Sequence, residues 1–454
     1  MQNHTSGDNS GKGHSKAERF SSTGFILTAI GSAVGLGNMW KFPYITGKYG
    51  GAAFFLLFIV CLLIVGLPVL LAELSIGRGG RGNPASSFFR LSNSKTWGVL
   101  GFISIVVPFL ILSFYSVIAG WTIHYAVISF SNVLYESSDF TEHFNSFAAS
   151  NLPVVWQIVV MFLTGWVVAK GISGGIEKFN KILIPGLLAL LVILMVRALT
   201  LPGGMAGVDF FLRPDFSKLS TESVLVALGH AFFSLSLGMG TMVTYGRYVE
   251  RQQSLGAASL AVGGGDLIYA LIAGLIVFPT SFAFGIEPGQ GPGLVFMALP
   301  AAFSAMPLGS FFGGLFFILL AIAALTSAVS LLEVPVAFVM DTWKWTRKKA
   351  TIFTATACGL IGIPSALSVG GILGGYTIAG KPLLDFVDFV CSNILLPMCG
   401  LIVTLFVGYV WKKAGEEAGL SSFWFRIWMF VMRYIAPVLV VLIFLYSAGV
   451  IGFK

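Results

Sequence analysis

Apolar stretches of about twenty residues or more follow one another along this chain with only short polar interruptions, and that succession leaves few folds open. A backbone without access to water must bond its own amides and carbonyls, so such a stretch crosses a hydrocarbon core as a helix. Eleven spans can be read: Gly24 to Gly47, Gly51 to Gly77, Trp97 to Leu134, Pro153 to Gly171, Gly174 to Leu199, Val224 to Val249, Ser254 to Phe284, Phe311 to Trp345, Ala350 to Gly371, Leu383 to Trp411 and Phe423 to Ile451. With 56% hydrophobic and 10% charged residues, an ordinary soluble globular protein is excluded. The expectation is an all-α integral membrane protein with about 11 transmembrane helices.

Charge gives this bundle a direction. The first nineteen residues are polar and offer no cleavable signal, which places the amino terminus in the cytoplasm. On that assumption the inner segments collect Arg78, Arg81, Arg90, Lys95, Lys170, Lys178, Lys181, Arg247, Arg251, Lys344, Arg347, Lys348, Lys349, Lys412, Lys413 and Arg426 beside the tail's Lys12, Lys16 and Arg19. The outer ones hold Lys48, Arg197, Arg213, Lys218, Lys381 and Lys454. The split follows the positive-inside rule and, with an odd helix count, puts the carboxyl terminus outside. The net charge of +8 is thereby assigned to cytoplasmic loops rather than to nucleic-acid binding. Cys61, Cys358, Cys391 and Cys399 all fall in apolar spans without metal-like spacing and read as small buried hydrophobes, and the five histidines form no cluster.

Two spans in opposite halves carry a glycine pair, Gly35-Leu36-Gly37-Asn38 and Gly238-Met239-Gly240, about two hundred residues apart. A broken helix survives at membrane depth only where it lines a cavity or binds something, and matching breaks in two halves mark a transport site. Carboxylates inside apolar spans add to this, because each costs roughly 2.5 to 3.5 kcal/mol on insertion scales. Glu73, Asp266, Glu333, Asp385 and Asp388 are such groups. For Glu333 and Asp385 a helix end at the interface, or a bond to exposed backbone, explains the charge equally well. Asp266 follows three glycines with no basic residue near it, and a bound cation resolves that imbalance. Sodium prefers oxygen ligands of the kind that unwound helices, Asn38, Ser234, Thr326 and Ser327 supply. Thr326 and Ser327 can equally bond the preceding helical turn. The half-helix after each break also presents free amides to an anionic group such as a substrate carboxylate.

The run Gly31-Ser32-Ala33-Val34-Gly35-Leu36-Gly37-Asn38-Met39-Trp40-Lys41-Phe42-Pro43-Tyr44 resembles the first helix of the neurotransmitter/sodium symporter family. The likeness continues through Gly66-Leu67-Pro68, Glu73, Gly77-Arg78, Tyr115, Trp121, Phe232 to Gly240, Leu325-Thr326-Ser327 and Asp385 to Asp388. Eleven helices and compact loops are most similar to bacterial members that carry multiple hydrophobic amino acids. The resemblance implies a fold of two inverted five-helix repeats with helices 1 and 6 unwound at mid-membrane. The corresponding division is residues 1–23 as a cytoplasmic segment, 24–200 as the first repeat, 201–223 as an outer loop, 224–412 as the second repeat and 413–454 as helix 11.

It also implies site residues. Two sodium ions are expected, the first held by the Ala33 carbonyl, Asn38, Ser234, Asp266 and the substrate carboxylate. The second is assigned to carbonyls of Gly31, Val34 and Ala323 with the hydroxyls of Thr326 and Ser327. The substrate carboxylate meets the amides of Leu36 and Gly37 and the Tyr115 hydroxyl, carbonyls around Phe233 and Ser236 take its ammonium, and Ile111, Tyr115, Phe233, Ser236, Met239, Ser327 and Leu331 surround its side chain. That lining suits a hydrophobic or aromatic L-amino acid and leaves a charged one unpaired. Met239, where relatives often have an aromatic, adapts to several shapes and suggests breadth. Gly35 replaces the aspartate of monoamine carriers, so the substrate brings its own carboxylate.

Departures from the family pattern are informative. Chloride-dependent members have asparagine at position 266 and serine one turn later; here the pair is Asp266 and Ala270, which implies chloride independence. Lys41 stands where arginine is usual in the outer gate opposite Asp388, and loses the bidentate fork. Tyr248 and Asp341 take the inner-gate positions, with Lys16 or Arg19 as basic partner and Arg19-Phe20 near the place of the usual tryptophan. Gly175 and Pro185 match a pattern at which helix 5 unwinds in relatives, although a plain proline kink explains them nearly as well. Together these imply a sodium-coupled importer in a bacterial plasma membrane. A proton-coupled amino acid carrier or an amino-acid sensor of the same fold is the alternative. An enzyme is disfavoured because no nucleophile, base and orienting residue occur together.

Overall fold

The computed structural model describes residues 19–136, 139–286, 294–447 and 449–450. These are nearly all helical. The first span is α1 (Ser22–Ala33), a gap, a π-turn at Gly37–Lys41, and α2 (Phe42–Lys48). Then come α3 (Ala52–Gly80), α4 (Lys95–Phe130), α5 (Leu152–Ala169) and α6 (Ile172–Leu199). The sixth span is α7 (Thr221–Ser234), a gap, and α8 (Thr241–Gly246). It is followed by α9 (Leu255–Ala283), α10 (Gly309–Trp343), α11 (Arg347–Leu367), α12 (Leu383–Val410) and α13 (Ser422–Tyr446). Among the described residues nine helices are long and apolar enough to cross a membrane, and the two other expected spans are the two that break.

Local chemistry sets the boundaries. The side chains of Ser21, Ser220 and Ser254 accept amide hydrogen bonds in the first turns of α1, α7 and α9, and Ser220 with Ser223 completes a reciprocal cap. Five π-turns, at Gly37–Lys41, Leu62–Gly66, Leu294–Ala298, Val390–Leu395 and Val431–Ile435, each end two residues before a proline. A proline ring crowds the carbonyl four residues back and offers no donor, and one widened turn relieves both problems.

Position in the bundle follows burial. In α4 and α10, 72% of the most apolar window is covered by other parts of the protein, against 22% in α6. Helices α4 and α10 are therefore the inner scaffold, packed on each other, with α1 against α6, α9 and α10. The outward faces of α5, α6 and α11 keep large apolar side chains such as Phe162, Ile182 and Leu360 exposed, as a surface solvated by lipid requires.

Candidate functional site

At the first break the helical ladder lapses between Ala33 and Gly37: Val34 N makes the last bond of the turn before it, to Ile30 O at 2.7 Å, and Asn38 N reaches only Gly35 O, at 3.3 Å. At the second, Ser236, Gly238 and Gly240 all adopt positive φ (54°, 78° and 65°), which no helix continues through. Ser236 Oγ donates to Ser32 O at 2.8 Å, and Ser327 Oγ of α10 reaches the same carbonyl at 3.4 Å. A carbonyl from the end of α1 is thus satisfied by hydroxyls from the other break and from the scaffold. Glycine is required at the first break for space: a Cβ at Gly35 would stand 2.5 Å from Ser327 Oγ, and one at Gly37 2.7 Å from the Phe233 ring. The Glu73 carboxylate, fully buried in α3, accepts the Gly238 amide at 2.7 Å, so it closes one of the broken helix's open donors.

Three of the expected ligands of the first sodium ion meet between the breaks. Asp266 Oδ1 accepts from Asn38 Nδ2 at 2.7 Å and from Ser234 Oγ at 2.7 Å, and Ser234 also lies 3.0 Å from Asn38 Oδ1. All three are buried, and Asp266 Oδ2 has no hydrogen-bond partner among the described residues. A buried carboxylate oxygen without a donor, beside amide and hydroxyl oxygens, is a donor set that a hard cation fits. Ala33 is buried at the end of α1 beside them. The second set is less assembled. Val34, Ala323, Thr326 and Ser327 are all buried, but Thr326 Oγ1 bonds Ala323 O within its own turn at 3.0 Å. Gly31 faces Asn180 of α6, whose Oδ1 would lie 2.2 Å from a Cβ there and has no partner among the described residues. Asn180 was not foreseen, since nothing in its sequence neighbourhood distinguishes it.

Beyond the break lies a cavity of about 320 Å³ lined by Leu36, Gly37, Ile111, Tyr115 and Phe233, five of the expected substrate contacts. The Leu36 amide points at the Tyr115 hydroxyl at 3.4 Å, two groups expected to share one carboxylate. Ser236, Met239, Ser327 and Leu331 are buried but do not line it. The cavity continues to Lys41, Asp385 and Asp388. There the expected outer gate is not engaged: the Lys41 ammonium sits over the Phe233 ring, 4.9 Å from its centroid, and Asp388 Oδ1 accepts from Ser392 at 2.7 Å. Trp121, Phe144 and Phe296 pack edge-on and stacked around the cavity at centroid distances of 5.3 to 5.9 Å. Phe144 and Phe296 come from connecting helices that periodicity alone does not relate to the site.

The lysine- and arginine-rich end is closed, with a different pairing from the expected one. Asp341 takes a two-pronged bond from Arg247 (2.8 and 3.2 Å) and two bonds from Asn83 (2.9 and 3.1 Å). Tyr248 bonds Glu333 at 2.9 Å instead, and Arg347 pairs with the fully buried Glu333 at 2.6 Å. Arg19 turns to Glu250 at 3.7 Å, so neither it nor any other residue of the described tail serves Asp341; Lys16 lies outside the described residues. The correction has a physical reason: Arg247 immediately precedes Tyr248 at the end of α8 and reaches Asp341 without a long tail having to fold back. Phe20 is buried edge-on against Tyr245 and Tyr248 at 5.5 and 6.0 Å.

Helix α6 is wound throughout, with a π-turn at Ile172–Glu177 containing Gly175 and with Pro185 inside the following helix. The expected unwinding between them is absent from this arrangement. Glu177 holds the segment to α1, accepting from Ser21 N at 3.1 Å and Ser21 Oγ at 2.5 Å while Lys181 pairs with it at 2.6 Å.

Comparison with known proteins agrees with this architecture. The sodium:neurotransmitter symporter family matches residues 18–152 and 149–452. An uncharacterized sodium-dependent transporter of Bacillus subtilis (strain 168), YhdH, is 37% identical over 95% of this chain and 98% of its own length. Another from Haemophilus influenzae is 35% identical over 93% and 96%. The crystal structure of MhsT in complex with L-phenylalanine superposes with a TM-score of 0.87 at 45% identity, covering 95% of this chain and 99% of that one. The chain is therefore a multi-pass membrane protein that belongs to the sodium:neurotransmitter symporter family.

Proposed function

We propose that the protein imports hydrophobic L-amino acids, aliphatic and aromatic, by sodium-coupled symport with alternating access and without a need for chloride. The observation that carries this is the buried Asn38–Ser234–Asp266 cluster, which joins the two broken helices and leaves one carboxylate oxygen for a cation. The adjoining cavity is lined by Ile111, Tyr115 and Phe233, and the Leu36 and Gly37 amides on its wall suit an amino acid's carboxylate. Bound L-phenylalanine in MhsT supports the substrate class.

Coupling follows if the substrate carboxylate completes the shell around the first ion, because each ligand then raises the affinity of the other. A second ion at Gly31, Val34, Ala323, Thr326 and Ser327 would form once Thr326 releases its own turn. Two charges moved across 100 mV support roughly a thousandfold accumulation. The open cavity beside Lys41 and Asp388 and the sealed basic end suit an outward-facing state, with the basic end cytoplasmic in a bacterial plasma membrane, both termini placed as the charge distribution implies, and the bundle of the first and sixth spans, one from each five-helix repeat, rocking to open inward. Opening the other way needs the Arg247–Asp341 and Glu333–Arg347 pairs to part and α6 to loosen between Gly175 and Pro185.

The test is uptake of radiolabelled leucine and tryptophan into proteoliposomes with inward sodium gradients, as chloride and as gluconate salts. Sodium-dependent accumulation equal in both salts is expected. Uptake driven as well by a proton gradient without sodium, or tight binding with no uptake, would replace this reading by a proton-coupled carrier or a sensor.

A further inference from the structure

Away from the transport cavity, α5 and α11 leave a groove of about 500 Å³ on the outer surface of the bundle. A hollow of about 680 Å³ adjoins it along α11, sharing Lys348, Ile352, Thr356 and Leu360. The floor is made of small residues: a Cβ at Gly165 would lie 3.5 Å from that of Ala355. The walls are apolar and open outward, with Phe162 69% and Leu360 61% exposed. From Lys348 to Ile363 the groove follows sixteen residues of helix, roughly 22 Å, more than half the thickness of a hydrocarbon core of about 30 Å.

Its chemistry changes at one end. Lys348 lines both hollows and Lys349 the second, and no aspartate or glutamate lines either. Lys170 stands beside them, its ammonium 3.2 Å from the centroid of the groove residue Trp166, and Lys349 lies 4.1 Å from that of Trp345. One turn past Lys348, Thr351 is buried beneath the floor, its methyl 3.9 Å from a Cβ at Gly165. The result is an apolar trench with a cationic head.

We infer that this groove binds one anionic phospholipid from the leaflet at the basic end, with its phosphate at Lys348 and an acyl chain along Phe162, Ile352 and Leu360. Charge complementarity selects this occupant. A zwitterionic lipid brings a second cation toward three lysines, and a two-fold contact with another copy sets Lys348 and Lys349 against themselves with no acidic complement. The inference is independent of which amino acid is carried.

The test is intact-complex mass spectrometry of the full chain in detergent, titrated with dioleoyl phosphatidylglycerol or dioleoyl phosphatidylcholine. Lys348→Glu is compared with Arg426→Glu, a charge reversal at the same end of the bundle on α13, and unchanged thermal unfolding midpoints establish that both variants fold. A surface lysine contributes about fivefold to anionic-lipid affinity. The first phosphatidylglycerol should therefore bind wild type more tightly than phosphatidylcholine does, and lose roughly twenty-five-fold with Lys348→Glu but within twofold with Arg426→Glu. Equal affinity for the two lipids, equal losses in the two variants, or a lipid-independent dimer that dissociates with Lys348→Glu would overturn the proposal.

Discussion

At the scale of single residues, two positions decide most of the site's behaviour. Asp266 is a carboxylate that the bundle buries with two donors on one oxygen and none on the other, an arrangement that needs a cation to be comfortable. Asp266→Asn should raise the sodium concentration for half-maximal amino-acid binding by about tenfold or more, since hydrogen bonds and contacts to charged groups are each worth roughly 1.5 to 3 kcal/mol. Sodium titration of bound radiolabelled tryptophan checks this. Gly35 acts through space rather than charge. Gly35→Ala drives a methyl into Ser327 Oγ and should abolish most uptake of radiolabelled tryptophan into proteoliposomes. Both residues were legible in the sequence, Asp266 because a charge among apolar residues is conspicuous and Gly35 because a Gly-x-Gly pair recurs at matching places in the two halves. Asn180 and Arg247 were not, because a polar residue near a helix end looks solvated until the partner that buries it is seen.

At the scale of elements, the ends of α1 and α6 are held together by one carboxylate. Glu177 caps the exposed amide and hydroxyl of Ser21, and its side chain occupies the room that a Cβ on Gly24 would take. Loss of a cap costs about 1 kcal/mol. Ser21→Ala should accordingly speed amide exchange across the first turns of α1 by about fivefold, as deuterium uptake of that peptide would show. Pro185 lies in the same helix and deprives it of one internal bond. Pro185→Ala should slow uptake several-fold while leaving sodium-dependent binding intact if, as proposed, this segment loosens when the basic end opens. The broken helices were readable from their glycines, whereas the aromatic cover of the cavity was not. Phe144 and Phe296 belong to short connecting helices whose sequences fit any interfacial position, and only the packing of the bundle brings them to Trp121.

At the scale of the whole molecule, one bundle combines an open cavity at one end with two ion-pair clusters and a buried Phe20 at the other. That asymmetry was only partly predictable. Hydropathy gives the spans and charge gives their direction, but which gate is closed depends on side-chain pairings that differ by small free energies. Arg247→Ala should shift the balance toward the inward-open state, lowering outward-facing binding of radiolabelled tryptophan at a fixed sodium concentration. The central claim is that sodium and amino acid share one site between the broken helices, and linkage makes it measurable. The most direct measurement is the affinity for L-tryptophan at a series of sodium concentrations, with the affinity for sodium at a series of tryptophan concentrations, in wild type and Asp266→Asn. The predicted result is a reciprocal enhancement by one common factor in wild type that falls toward unity in the variant. Tryptophan affinity unchanged between sodium and choline, or coupling that survives intact in Asp266→Asn, would contradict it.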